Sequence, residues 1–223
     1  MKTSAELKTD VMDELMFEPS IHEAGIGVAV EDGVVTLSGH ARSYAEKLAA
    51  EEAAKRVDGV QAVANELKVE LWPGFQRDDT DVAHAAAHAL RWNTWLPANS
   101  VTASVSDGWV TLEGSVPWQY QRQEALLAVQ RLQGVKGVTN RIEVEPAVKA
   151  TEVERKIQSA FQRAASLDAR QVHVETSGSR AILHGKVRSF AESQDAERAA
   201  WSVPGVTSVR NETEIVVQDL SEL

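Results

Sequence analysis

The chain has no cysteine, which excludes disulfides, thiolate nucleophiles and thiolate metal ligands and leaves the redox compartment open. It also lacks any stretch of about 18 consecutive apolar residues, the length a membrane-spanning helix needs. The opening stretch Met1-Lys-Thr-Ser-Ala-Glu-Leu-Lys-Thr-Asp-Val-Met-Asp-Glu14 contains no apolar run of signal-peptide length. A cytoplasmic protein that does not span a membrane, and meets one only at its surface, is the expectation. Positive charge is scarce: 23 Lys and Arg face 33 Asp and Glu, for a net charge of −10. Duplex nucleic acid calls for a clustered positive footprint, so no nucleic-acid partner is expected. The acid excess is uneven, with 7 basic and 14 acidic side chains in residues 1–72, 6 and 8 in 73–146, and 10 and 11 in 147–223. It opposes attraction to anionic lipid least in the third of these segments. Ser-His-Asp order, a glycine-rich phosphate loop and a nucleophile elbow are all missing, so no enzyme and no cofactor is expected.

What the chain does have is a threefold repeat. Asp107-Gly-Trp-Val-Thr-Leu-Glu-Gly114 has counterparts in Asp32-Gly-Val-Val-Thr-Leu-Ser-Gly39 and Gly178-Ser-Arg-Ala-Ile-Leu-His-Gly185. A turn dipeptide followed by an alternating strand is a strong hairpin signal. Gly33, Gly39, Gly59 and Asn65 recur 75 residues later as Gly108, Gly114, Gly134 and Asn140, and a further 71 residues reach Gly185, Gly205 and Asn211, with Ser179 replacing Gly108. The extra four residues fall between the first two units. The division is therefore 1–72, a linker at 73–77, then 78–146 and 147–223, with a shorter joint at Pro146-Ala147. Units of this size bury little more than about 60% of their unfolded surface, so contacts between them matter for stability.

Within each unit, apolar residues near every fourth position open a helix: Leu7, Val11, Leu15; Val82, Ala86, Leu90; Val153, Ile157, Phe161. Asp78, Asp79 and Thr80, and Thr151 with Glu154, are candidate N-terminal caps. Two alternating strands follow, and Gly39, Gly114 and Gly185 share the parity that faces the helices, where a missing side chain would allow close packing. A second helix carries a stripe of small residues, such as Ala50, Ala53 and Ala54, and stops at Gly59, Gly134 or Gly205. A last strand passes through Asn65, Asn140 or Asn211. The fold class is α+β: three tandem α-β-β-α-β domains, each a three-stranded sheet with two helices on one face. The place of the third strand in the sheet is left open.

The pattern Asp-Gly-x-Val-Thr-Leu-x-Gly leading into a helix, then Gly-Val-x-x-Val-x-Asn, resembles the BON domain, three copies of which cover nearly the whole chain. Val116-Pro-Trp-Gln-Tyr-Gln-Arg122 and Val135-Lys-Gly-Val-Thr-Asn-Arg-Ile142 resemble stretches of bacterial BON-domain stress proteins. The resemblance implies an osmotic or envelope stress role and binding to phospholipid surfaces or to protein clients. Potassium binding is implied by a relative that also carries a LysM domain, which has no counterpart here.

Candidate interaction residues cluster in the second unit: Trp92, Trp95, Trp109, Thr111, Trp118 and Tyr120. Trp109 and Thr111 fall on the sheet face away from the helices, and Trp109 reads either as an interaction residue or as a packed cross-strand aromatic. Trp72 and Phe75, in the linker, are expected to hold units together. His84 and His88 have helical i, i+4 spacing without a third ligand, and no metal is expected. His173 and His184 should oppose each other across the third hairpin. The three asparagines and the repeated glycines are read as structural, the amides satisfying backbone groups beside the last strand. Alternatives to a lipid- or client-binding protein are a potassium or calcium sensor and a structural self-assembly module.

Overall fold

The turns at the hairpin tips set the register of each unit. In the computed structural model, which describes residues 2–22, 25–145, 153–164 and 171–216, Asp32 and Gly33 have φ of 48° and 78°, and Asp107 and Gly108 have 53° and 78°. Two successive positive φ values define a type I′ turn, whose twist matches that of the flanking strands. Gly178 alone is positive in the third turn, at 64°, as a type II′ turn requires.

The first unit comprises α1 (Ser4–Phe17), β1 (Ile26–Glu31), β2 (Val34–Ala41), α2 (Tyr44–Arg56) and a last strand in two pieces, β3 (Ala62–Asn65) and β4 (Lys68–Val69). The second comprises α3 (Asp79–Trp92), β5 (Val101–Ser106), β6 (Trp109–Val116), α4 (Gln119–Gln130) and β7 (Gly137–Val144). The third comprises α5 (Val153–Arg163), β8 (Val172–Ser177), β9 (Arg180–Val187), α6 (Phe190–Trp201) and β10 (Ser208–Ile215). In every unit the first two strands pair antiparallel. The last strand then joins the second in parallel, with Val35 opposite Val63, Val110 opposite Val138 and Ala181 opposite Val209. The intervening helix supplies the crossover that a parallel pair needs, and it leaves the middle strand central.

Each unit has its own core between the sheet and its two helices. Ala50, Ala53 and Ala54 in α2 are fully buried, as are Ala125 and Val129 in α4 and Ala196 and Ala200 in α6. These small side chains let the helix lie close on the sheet. Thr3 caps α1 in a reciprocal box with Glu6, and Asp78 caps α3 through the Asp81 N–H at 2.8 Å. Asp79 reaches across instead, accepting the N–H groups of Asp107 (2.7 Å) and Gly108 (2.8 Å), and so ties the start of α3 to the hairpin turn. The expected cap at Thr151 and the joint at Pro146-Ala147 lie outside the described residues.

One expectation needs correcting. Gly39, Gly114 and Gly185 do not make room for a helix. A Cβ at these positions would lie 2.2 Å from the Gly25 carbonyl oxygen, 2.1 Å from that of Ser100 and 1.9 Å from that of Gln171. The glycine admits the chain entering the first strand, and φ of 105°, 137° and 124° adds a second reason for its presence.

The asparagines hold helix to strand. Asn65, Asn140 and Asn211 donate to the carbonyls of Lys47 (3.0 Å), Arg122 (3.1 Å) and Ser193 (3.1 Å), near the start of the second helix. Their side-chain oxygens accept the N–H groups of Leu67, Ile142 and Thr213.

Contacts between units run through a different position from the one expected. Tyr44 of the first unit packs against the core of the second, near the Val138 backbone, and burial raises its pKa. Phe190 of the third unit packs against the core of the first, with the Lys55 ammonium 5.9 Å from its ring centre. Trp72 takes as its ring partner Arg42 of its own unit, the guanidinium 3.9 Å from the ring centre. Phe75 is 46% exposed, and its N–H bonds the Trp72 carbonyl.

Candidate functional site

The start of the second helix is where the three units part company. Ser43 and Ser189 cap α2 and α6 by accepting the N–H groups of Glu46 and Glu192. Those glutamates are buried, and their carboxylates accept the N–H groups of Arg42 and Arg188. The first unit therefore reads Arg42-Ser43-Tyr44-Ala45-Glu46 and the third Arg188-Ser189-Phe190-Ala191-Glu192, whereas the second reads Pro117-Trp118-Gln119-Tyr120-Gln121. All five residues differ together. Trp118 provides no side-chain cap, the first turn of α4 has no acidic residue, and Pro117 has no N–H to offer. With no N–H there to bind, the carboxylate becomes the neutral amide of Gln121, whose oxygen is buried without a partner among the described residues.

Two aromatic rings enter in exchange. Trp118 and Tyr120 are 38% and 48% exposed. Trp95, on the loop after α3, meets Tyr120 edge to face at 5.9 Å between ring centres, a favoured geometry for aromatic pairs. Gln121 secures that loop by donating to the Trp95 carbonyl at 2.9 Å, and the Trp95 N–H is held by Asn93. An aromatic surface thus surrounds a helix N-terminus whose first N–H groups are uncapped.

The other candidates sit elsewhere. Trp92, 72% exposed at the end of α3, lies 5.6 Å from His88 between ring centres. Trp109 lies on the uncovered sheet face, where its indole N–H donates to Thr139 at 2.8 Å and its ring covers Gly137, so that a Cβ there would fall 2.4 Å from a ring carbon. That is the packed cross-strand aromatic. Thr111 is half-buried beside it, opposite Thr139 on β7. Thus Trp95, Trp118 and Tyr120 are brought together, whereas Trp109 and Thr111 belong to the opposite side of the sheet.

His84 and His88 are exposed, and no group of three or more metal-ligating side chains occurs among the described residues. His173 and His184 pair across the hairpin as their spacing indicates, but His184 also reaches Glu212 at 3.3 Å and Glu175 at 3.9 Å. No helix among the described residues is long and apolar enough to cross a membrane.

Tyr44 and Phe190, missed in the sequence, have Gln119 as their counterpart in the second unit, and Trp201 corresponds to Lys55 and Gln130. Beside Gln119 a cavity of about 890 Å³ opens, lined by residues from all three units. Lining up the five residues that open the second helix would have exposed both the missing aromatic and the lost cap.

Among curated proteins, the chain is similar to the osmotically-inducible protein Y of Escherichia coli (strain K12), with 30% identity over 142 residues, 61% of this chain and 68% of that protein. Among solved structures it matches CdsD, a structural protein of the type III secretion system of Chlamydia trachomatis, at 15% identity over 95% of this chain and 92% of that one, with a TM-score of 0.27. A structure of the CdsD C-terminal domain matches at 14% identity over 96% of this chain and 100% of that one, also with a TM-score of 0.27. The BON domain, a non-catalytic module, matches residues 3–70, 78–146 and 149–217, and the chain belongs to the BON-domain family.

Proposed function

We propose that the protein is a non-enzymatic binding protein of the osmotic or envelope stress response that engages phospholipid surfaces through its second unit. The observation that carries this reading is the exposed group Trp95, Trp118 and Tyr120 around the uncapped start of α4. Tryptophan and tyrosine are favoured where an apolar body meets a polar headgroup layer. A helix N-terminus without a cap or a first-turn carboxylate presents N–H groups and a partial positive charge to a phosphate. In the other two units Ser43 with Glu46, and Ser189 with Glu192, occupy that place. Arg91, exposed beside Trp92 at the end of α3 that leads into the Trp95 loop, adds a cation to the same unit. The stress role is supported by the name of the osmotically-inducible relative.

The test is co-sedimentation with phosphatidylglycerol-containing and purely phosphatidylcholine vesicles at low and physiological salt, with tryptophan emission followed in parallel. Salt-sensitive binding with a blue shift, lost in Trp95→Ala and Tyr120→Ala and kept in Trp109→Ala, is the expected result. Absence of binding under every condition would remove the lipid reading and direct attention to protein clients and ions.

A further inference from the structure

Two of the three units insert an aromatic ring from the first position of their second helix into a neighbour: Tyr44 into the second unit and Phe190 into the first. The second unit has Gln119 at that position, and where its ring would be needed there is instead the cavity of about 890 Å³, lined by the second and third units with Glu52 of the first. Trp201 of the third unit lines it, where the first and second units have Lys55 and Gln130. The cavity falls within the range of small-molecule pockets, about 300–1,000 Å³, large enough for one or two side chains.

Its lining has a definite chemistry. Trp118, Tyr120 and Trp201 supply aromatic surface, and Glu52, Glu124 and Glu197 supply carboxylates. The cation among the lining residues, Arg198, is already paired with Asp195 at 2.8 Å. Glu124 has no partner among the described residues, Glu197 accepts the Trp201 indole N–H at 3.3 Å, and Glu52 only approaches Lys55, at 3.7 Å. The amide oxygen of Gln119 is buried with no donor to meet it among the described residues.

We infer that this cleft is a docking site for an arginine-bearing peptide segment. A guanidinium stacks on an indole, pairs with carboxylates and carries five N–H donors in a plane. A quaternary ammonium would satisfy the rings and the charge but would offer no N–H to the carboxylates. A phosphate headgroup would meet three carboxylates. The site shares Trp118 and Tyr120 with the lipid reading, but Trp201, Glu124 and Glu197 play no part there and Trp95 does not line the cleft.

The experiment is fluorescence anisotropy of a fluorescein-labelled peptide of alternating glycine and arginine, titrated with the full chain, alongside the same peptide with glutamate replacing arginine. Binding of the arginine peptide alone is expected. It should weaken about tenfold or more in Trp201→Ala, as for a buried aromatic anchor, and similarly in the isosteric pair Glu124→Gln with Glu197→Gln. Gln119→Tyr, which places a ring where the other two units have one, should also block it. Trp95→Ala should leave peptide binding intact while removing vesicle binding, which separates failure of this site from failure of the lipid surface. Equal weakening by Glu66→Gln with Glu70→Gln, exposed elsewhere on the first unit, would show binding through general acidity alone and overturn the inference. So would binding unaffected by any of the cleft variants, loss of vesicle binding in Trp201→Ala, or no binding at all.

Discussion

Pro117 gives Gln121 no N–H, whereas Arg42 and Arg188 at the same place in the other units donate theirs to the buried carboxylates of Glu46 and Glu192. The second unit thus gives up a helix cap and a buried acceptor's partner at once, and exposes two aromatic rings. Restoring the pattern with Pro117→Arg, Trp118→Ser and Gln121→Glu should raise the stability of that unit, the cap alone contributing about 1 kcal/mol. The same variant should lose vesicle binding. Thermal melts and co-sedimentation on one preparation check both, and a restored cap without loss of binding would show that Trp118 has no part in the interface.

The asparagines make a sharper structural claim. Asn140 donates to the Arg122 carbonyl and accepts the Ile142 N–H, so Asn140→Ala removes the tie between helix and strand and leaves the Ile142 N–H without its acceptor. A cost of about 1–3 kcal/mol in urea unfolding is expected. Binding to vesicles by the folded variant should be unchanged. A variant of normal stability that fails to bind would make the amide a ligand-contacting group.

Much of the fold was legible because repetition amplified weak signals. An Asp-Gly dipeptide before an alternating strand means little once, but at fixed offsets with Gly59 and Asn65 it defines a unit. Which strand the last one joins was not legible, since apolar alternation in β7 is the same at either edge. The joints between units were hidden for a different reason. Tyr44 and Phe190 stand off the buried stripe of their own helices, so within one unit they look like exposed residues. Trp72 and Phe75 drew attention by size and by their place in the linker, yet Trp72 stacks on Arg42 of its own unit. Trp109 and Trp118 were equal candidates by sequence, and only the neighbour of each ring, Gly137 in one case and an uncapped helix in the other, separates them.

Glu51 links the first unit's stability to pH. Burial pushes its carboxyl upward, but hydrogen bonds from Lys55 at 2.6 Å and Asn65 at 3.1 Å outweigh this and hold the pKa below the usual 4.5. A folded-state pKa below the unfolded one stabilises above the unfolded value, and that contribution is lost as pH falls through the folded value. The advantage of the native chain over Glu51→Gln should therefore shrink between about pH 6 and pH 3 in urea titrations, as the linkage relation requires. A gap constant with pH would show that the carboxylate is not held by these partners.

Gly114 admits no side chain. Its φ of 137° and the Ser100 carbonyl oxygen 2.1 Å from a would-be Cβ act together in Gly114→Ala, where backbone rather than a flexible side chain is in the way. A loss of at least about 3 kcal/mol is expected. Gly74→Ala, at φ 95° with nothing within 4 Å, carries the conformational cost alone, about 1–2 kcal/mol. Comparing the two by chemical denaturation separates strain from collision.

The joints between units predict how the chain unfolds. Small units of this kind depend on their neighbours, and Tyr44 lies against the second core with its hydroxyl at the Val138 backbone. Tyr44→Ala removes that ring without touching a residue of the first unit's own buried stripe. The first and second units should then melt in separate steps by calorimetry, whereas in the native chain they should melt together. Gln119→Ala removes the counterpart at the open joint and should leave the coupling as it was, because no ring fills that cavity. If both variants melted like the native chain, the units would be independently stable and Tyr44 a bystander. If Gln119→Ala alone separated the transitions, the second and third units would be joined through the amide, and the cleft beside Trp201 would be a sealed interface instead of an open one.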